Sequence, residues 1–76
     1  MISSSMKDIR SRVATALAAS SVPRLRFIVV ELEDNTVCLR GDVTTFYQKQ
    51  LAQEVVRSID SEVNVRNDLR VGEPTN

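Results

Sequence analysis

Apolar residues recur along this chain first at helical spacing and later at every second position. Near the start they stand three or four residues apart, which places them on one face of a helix. They are Met6, Ile9, Val13, Ala16 and Leu17. Ser5 precedes Asp8 by three residues, as in a capping box with Asp in place of Glu or Gln. The residue before Pro23 avoids helical backbone, so we predict a first helix from about Ser4 to Ser20.

The following segment alternates apolar and polar positions, which is typical of strands with one buried face. The inward positions before and after a polar break are Ile28, Val30 and Leu32, then Val37 and Leu39. A two-residue turn at Asp34-Asn35 would pair Leu32 with Val37 and Val30 with Leu39. Both turn residues tolerate the positive φ of a type I′ turn. The pattern therefore predicts a β-hairpin.

The second half of the chain repeats both periodicities. The segment VTTFYQKQLAQEVVRSI has a helical stripe, and Thr45 with Gln48 fits a capping box at its start. The stripe consists of Ala52, Val55, Val56 and Ile59, with Leu51 at its edge. The last segment, VNVRNDLRV, alternates with Val63, Val65, Leu69 and Val71 inward, and Asn67 falls on the same side. We predict a second helix followed by a third strand.

The predicted order is helix, strand, strand, helix, strand, which is an α+β fold. Each helix has one apolar stripe and each strand one apolar face, so two helices on one face of a three-stranded sheet would bury them together. The resulting αββαβ sandwich fits a single domain of 76 residues, with an ordered core at about residues 5–71.

Composition narrows the functional classes. The formal net charge is zero, so no overall field draws the molecule to nucleic acid or an anionic membrane. There is no His and one Cys, Cys38, so we expect no disulfide, no zinc site and no His-based catalysis. The N-terminus has no apolar signal region. We expect a cytoplasmic protein as the chain is written, and a periplasmic one if it is part of a longer exported protein.

Three runs together resemble the BON domain, named for bacterial osmotically inducible and nodulation proteins. They are Ile28-x-Val30-x-Leu32-x-Asp34-Asn35-x-Val37-x-Leu39-x-Gly41-x-Val43, then Ala52-x-x-Val55-Val56-x-x-Ile59, and finally Val65-x-Asn67-x-Leu69-x-Val71. The chain departs from the family at Asn35, where Gly is usual, and at Ser61-Glu62, where a Gly-Val pair is usual. The second departure leaves the start of strand 3 open by a residue or two.

The resemblance implies a mixed sheet with strand 3 beside strand 2, joined through helix 2 by a right-handed crossover. The charges suggest another order, because Glu31 and Glu33 on strand 1 would complement Arg66 and Arg70 on an adjacent strand 3. Surface ion pairs contribute only about 0.2–1 kcal/mol each. We therefore expect the order that the resemblance implies.

The tripeptide Arg40-Gly41-Asp42 has two interpretations. Adhesion receptors bind this tripeptide, which would require a secreted, protruding loop. Alternatively, Gly41 is structural, lying at the end of strand 2 where it allows a bend or a close approach. The resemblance favours the structural interpretation, because the family has Gly here without requiring Arg or Asp beside it.

No catalytic group of residues stands out, so we expect a protein that is not an enzyme and binds no cofactor. Glu31 and Glu33 are paired carboxylates, but we expect them on a solvated sheet face where little shifts their pKa. Nucleic-acid binding is not expected either. The G-x-x-G loop of a KH domain is missing, because the only glycines are Gly41 and Gly72.

Three surfaces are candidates for binding. Lys7, Arg10 and Arg12 on helix 1 could contact anionic headgroups, at about 1 kcal/mol per basic residue; an ordinary solvated face is the alternative. Phe46 and Tyr47 open helix 2, and we expect one to pack on the sheet edge and the other to anchor a partner or membrane. The third is the polar outer sheet face, interrupted by an apolar patch that lies opposite Arg40 and Glu31. This patch consists of Phe27, Val29 and Cys38.

The expected function is a non-enzymatic binding or accessory module. The resemblance implies attachment to phospholipid surfaces or to partner proteins of the bacterial envelope. The alternative is a cytosolic protein–protein interaction module, or a homodimer joined through the outer sheet face. A third hypothesis is an accessory domain that binds a small ligand or an ion.

Overall fold

The predicted order of elements is confirmed. The computed structural model describes residues 5–72. It contains helix α1 (Met6–Ala18), strand β1 (Val29–Glu33), strand β2 (Thr36–Val43), helix α2 (Phe46–Ile59) and strand β3 (Asn64–Val71). Both helices pack on one face of the sheet, as an αββαβ sandwich requires.

The connection between α1 and β1 differs from the prediction. Helix α1 ends at Ala18, and a short 3₁₀ helix at Pro23–Phe27 follows, which was not predicted from the sequence. Pro23 suits the first turn of a helix, since an N–H there would have no partner. Within this turn Leu25 is buried in the core. The 3₁₀ helix therefore closes one end of the sandwich.

The sheet has the order β1-β2-β3, with β1 antiparallel and β3 parallel to β2. The hairpin register is as predicted, with Val30 opposite Leu39 and Leu32 opposite Val37. The turn itself is different, because of its two central residues only Asp34 has positive φ, at 56°. A type I′ turn needs positive φ at both central residues, so that turn type was wrong.

The core is aliphatic. Within residues 5–72 no polar or charged residue is fully buried. The buried residues packed between helices and sheet are Ile9, Val13, Leu17, Leu25, Val30, Val37, Leu39, Val43, Ala52, Val56, Val63 and Leu69. Most stripe positions predicted from the sequence are in this set or packed against it. No aromatic ring takes part, which leaves every aromatic side chain of the chain for the surface.

Side-chain caps fix where both helices begin. Ser5 Oγ accepts from the N–H of Asp8 at 3.1 Å, and Thr45 Oγ1 accepts from the N–H of Gln48 at 3.0 Å. The return bond of the second box reaches one residue further, because Gln48 Oε1 accepts from the N–H of Thr44 at 2.8 Å. Helix α2 therefore begins after Thr45. Val43, the first residue of the segment predicted as helical, is the last residue of β2.

Asn67 faces inward, as predicted, and joins β3 to α2. Its Nδ2 donates to the carbonyl of Lys49 at 2.9 Å and to Oε1 of Gln53 at 3.2 Å. A carboxamide half-buried between strand and helix is tolerated because its donors are satisfied.

Gly41 lies inside β2, opposite Leu69, and not at the strand end where it was expected. Its φ is +139°, which residues with a Cβ rarely adopt. The nearest atom to an added Cβ, Ile28 Cα, would be 3.7 Å away, so the space itself is sufficient. Backbone conformation is therefore what requires glycine here.

We predict that Gly41→Ala lowers the free energy of unfolding by about 1–3 kcal/mol, the cost of a side chain in a rarely populated backbone region. Gly72→Ala is the matched control, because an added Cβ there meets nothing within 4 Å. Urea unfolding followed by circular dichroism measures both. Equal losses in the two variants would show that the Gly41 backbone is unstrained.

Candidate functional site

The outer sheet face carries a connected set of ion pairs. Arg40 on β2 contacts Glu31 at 3.1 Å and Glu33 at 2.6 Å, both on β1. Arg66 on β3 contacts the same Glu33 at 3.1 Å and Asp68 at 2.7 Å. Arg66 thus reaches strand β1 across β2. Glu33 and Arg66 therefore pair, as their charges in the sequence suggested, although β3 does not lie beside β1.

Cys38 lies beneath these ion pairs and is fully buried. It was expected to interrupt the outer face as part of an apolar patch, which is wrong. The register explains its burial: Cys38 is central in the sheet, with Glu31 on one side and Arg66 on the other. The hydrogen bond to Asp68 raises the pKa of Arg66, so this guanidinium stays charged above the thiol.

The tripeptide at residues 40–42 is part of β2, which is hydrogen-bonded to β1 on one side and to β3 on the other. Arg40 is bound to two glutamates, and Asp42 pairs with Arg70 at 3.2 Å. Both charged side chains therefore have partners within the sheet. This geometry supports the structural interpretation of Gly41 over an adhesion loop.

The three basic residues predicted on α1 do not form one patch. Arg10 and Arg12 are two positions apart, which is about 200° around a helix. Arg12 lines a groove of about 430 Å³ against Ile59 of α2, together with Ser11, Thr15 and Ala16. Arg10 then lies on the flank away from α2. A flat surface could not contact both side chains at once.

The aromatic side chains are all exposed. The chain has two Phe, one Tyr and no Trp, and Phe27, Phe46 and Tyr47 are 77%, 76% and 71% exposed. The expectation that Phe46 or Tyr47 packs on the sheet edge is therefore wrong. Val29 is also 53% exposed. Large apolar side chains this exposed indicate a contact surface when they lie together.

Topology places these four residues at one end of the molecule. Val29 pairs with Arg40, and the backbone of Phe27 lies next to Gly41, in the last part of β2. Helix α2 starts at Phe46, shortly after β2 ends, and contacts the 3₁₀ helix that Phe27 closes. We call Phe27, Val29, Phe46 and Tyr47 the aromatic end.

Arginines lie beside the aromatic end. Arg24 and Arg26 belong to the 3₁₀ helix, and both are exposed. Arg26 Nε donates to the carbonyl of Ser20 at 2.8 Å, which leaves its positive charge without a carboxylate among the described ion pairs. Neither residue was predicted from the sequence, because no periodicity marks them and they are positioned by the 3₁₀ helix that begins at Pro23.

The opposite end of the molecule is more acidic. It contains the hairpin turn, the start of α1 and the end of α2, which meet around a cavity of about 270 Å³. The cavity is lined by Met6, Ile9, Asn35, Asp60, Glu62, Val63 and Asn64. In the described part of the chain, no three His, Cys, Asp or Glu side chains come together as metal ligands.

A family model for the BON domain matches residues 5–73. The chain belongs to the BON domain family. Comparison with curated proteins gave no match. Family membership agrees with the helix and strand order of this BON domain and supports a binding or accessory module. Neither helix in residues 5–72 is long and apolar enough to span a bilayer.

We predict that Cys38 of the native domain resists modification by a thiol-specific disulfide reagent. Its thiol is buried beneath ion-paired side chains, so reaction requires local or global opening. We expect modification at least about 100-fold slower in buffer than in denaturing urea, given typical fractions of open molecules. Absorbance of the released thiolate follows the reaction, and fast, complete labelling in buffer would contradict the packing described.

Proposed function

We propose that this BON domain is a non-enzymatic attachment module that binds an anionic phospholipid surface through its aromatic end. One observation carries the proposal: all three aromatic residues are exposed, and they lie at the same end of the molecule. Exposed apolar side chains that lie together on a surface mark an interaction site more often than scattered ones do.

The chemistry of this end suits a membrane interface. Phe and Tyr rings insert at the boundary between headgroups and acyl chains, where an apolar body and a polar edge are both accommodated. Arg24 and Arg26 stand beside them, and each basic residue near an anionic surface contributes about 1 kcal/mol. Apolar insertion and electrostatic attraction would therefore act at one place.

The rest of the surface favours this orientation. With the aromatic end against lipid, the acidic cavity around Asp60 and Glu62 points away from the anionic headgroups. The helix α1 residues Lys7, Arg10 and Arg12, considered first from the sequence, are spread around that helix. They support the proposal less than the 3₁₀-helix arginines do.

The competing proposal is a protein–protein module or homodimer that uses the outer sheet face. Exposed Val29 lies there beside Arg40. The charges of that face, however, already pair among themselves across all three strands. A face with matched charges has less to gain from a partner, so the aromatic end is the better candidate.

Co-sedimentation with vesicles tests the proposal. We expect binding to vesicles containing phosphatidylglycerol, little binding to pure phosphatidylcholine, and weaker binding as salt rises. Replacing both rings, Phe46→Ser with Tyr47→Ser, should abolish pelleting, while Arg24→Gln should weaken binding about fivefold.

Arg12→Gln is the matched control, because it removes an equally exposed arginine that lies in the groove against α2. It should bind as the unaltered chain does. Unchanged binding after the ring replacements, or no pelleting with any vesicle, would reject membrane attachment by the aromatic end. If no vesicle is bound, the same ring variants would be used to test binding to a protein partner.

A further inference from the structure

The free edge of β3 is the longer of the two edges that the described sheet presents, with eight residues against five for β1. Unpaired N–H and C=O groups on such an edge can pair with another strand. The N–H of Gly72 donates to the carbonyl of Val43 at 3.1 Å. Alternate residues of β3 hydrogen-bond to β2. The backbone N–H and C=O groups of the residues between them therefore point away from β2, to the free edge; these residues are Val65, Asn67, Leu69 and Val71.

Asn67 closes part of this edge. Its Oδ1 accepts from the outward N–H of Leu69 at 3.3 Å. Its Nδ2 is held against α2 by the bonds to Lys49 and Gln53. The carboxamide is thus fixed from the helix side, and a partner strand has to displace it to reach the Leu69 amide.

The side chains of β3 complement those of a second copy in antiparallel orientation. With Asn67 opposite its own equivalent, Arg66 faces Asp68 of the second copy and Asp68 faces Arg66. These two side chains are already paired within each chain at 2.7 Å, so this register joins two existing ion pairs and brings no like charges together. Opposite charges facing each other across strands are favourable. On the helix side, half-buried Val65 would face Leu69, and Val71 would face Val63.

The charges select this register. If the pairing is centred on residue 66 in place of residue 67, Arg66 faces Arg66 of the second copy. If it is centred on residue 68, Asp68 faces Asp68 of the second copy. The edge of β1 has no such self-complementarity, since the side chains of β1 on the outer face of the sheet are those of Val29, Glu31 and Glu33. A second copy therefore fits the β3 edge and not the β1 edge.

We propose that the β3 edge is a surface for a second copy of this chain, paired antiparallel about Asn67, and that the Asn67 side chain holds this surface closed. The surface contains none of the four residues of the aromatic end. This dimer proposal goes beyond membrane attachment, and the failure of one proposal does not affect the other.

Sedimentation velocity over a range of concentrations tests the proposal with Asn67→Val. Valine frees the Leu69 amide and joins Val65 and Leu69 into a continuous apolar row. We expect the dimer dissociation constant of the variant to fall at least about tenfold below that of the unaltered chain. Asn64→Val is the matched control, because Asn64 is exposed on the same strand and does not bind the Leu69 amide; it should not change association.

Charge reversal tests the register. Adding Asp68→Arg to Asn67→Val should return the protein to monomer, and adding Arg66→Asp as well should restore the dimer. Circular dichroism checks the fold of each variant. If Asn67→Val does not fold, Asn67→Thr replaces it, since threonine also lacks the carboxamide and is a β-branched residue that suits a strand. A folded variant that associates no more tightly than the unaltered chain, or a dimer unaffected by Asp68→Arg, would overturn the proposal.

Discussion

Strand β2 is hydrogen-bonded on both sides, and the other elements take their places from that double pairing. The hairpin sets β1 against one side, and the crossover through α2 sets β3 against the other. Its helix-facing residues Val37, Leu39 and Val43 are fully buried, and so is Cys38 on the opposite face. A strand buried on both faces needs cover on the outer side too. The ion pairs from Glu33 to Arg66 supply it, because both side chains extend over the central strand.

The same arrangement explains why the exposed aromatic residues collect at one end. Helices and sheet close on a purely aliphatic core, so Phe27, Phe46 and Tyr47 have no place inside. Strand β2 ends where β1 begins and where α2 starts, which places all three aromatic residues at the same end of the molecule. Phe27, Phe46 and Tyr47 are not part of the edge of β3. On β3, Asn67 both joins the strand to α2 and covers an amide that would otherwise be free.

Alternation and capping in the sequence predicted much of the fold, because they are local properties. The hairpin register followed from the two apolar rows on either side of Asp34, and the start of α2 from Thr45 with Gln48. The 3₁₀ helix was missed because Leu25 and Phe27 were taken with the strand segment that follows them, although Pro23 favours a helical turn. The burial of Cys38 was missed because it depends on side chains from two other strands. Grouping of Phe27 with Phe46 likewise needs the topology and cannot be read from spacing.

The proposed membrane attachment requires that the aromatic end contact the lipid surface. Because the chain has no Trp, Phe46→Trp introduces a single fluorescent reporter there, and Lys7→Trp introduces one at the far end of the molecule. We expect vesicles containing phosphatidylglycerol to shift the emission of the first reporter to shorter wavelength, and brominated acyl chains to quench it. The second reporter should show neither effect. No shift or quenching at position 46, or both effects at position 7 alone, would contradict membrane attachment by the aromatic end.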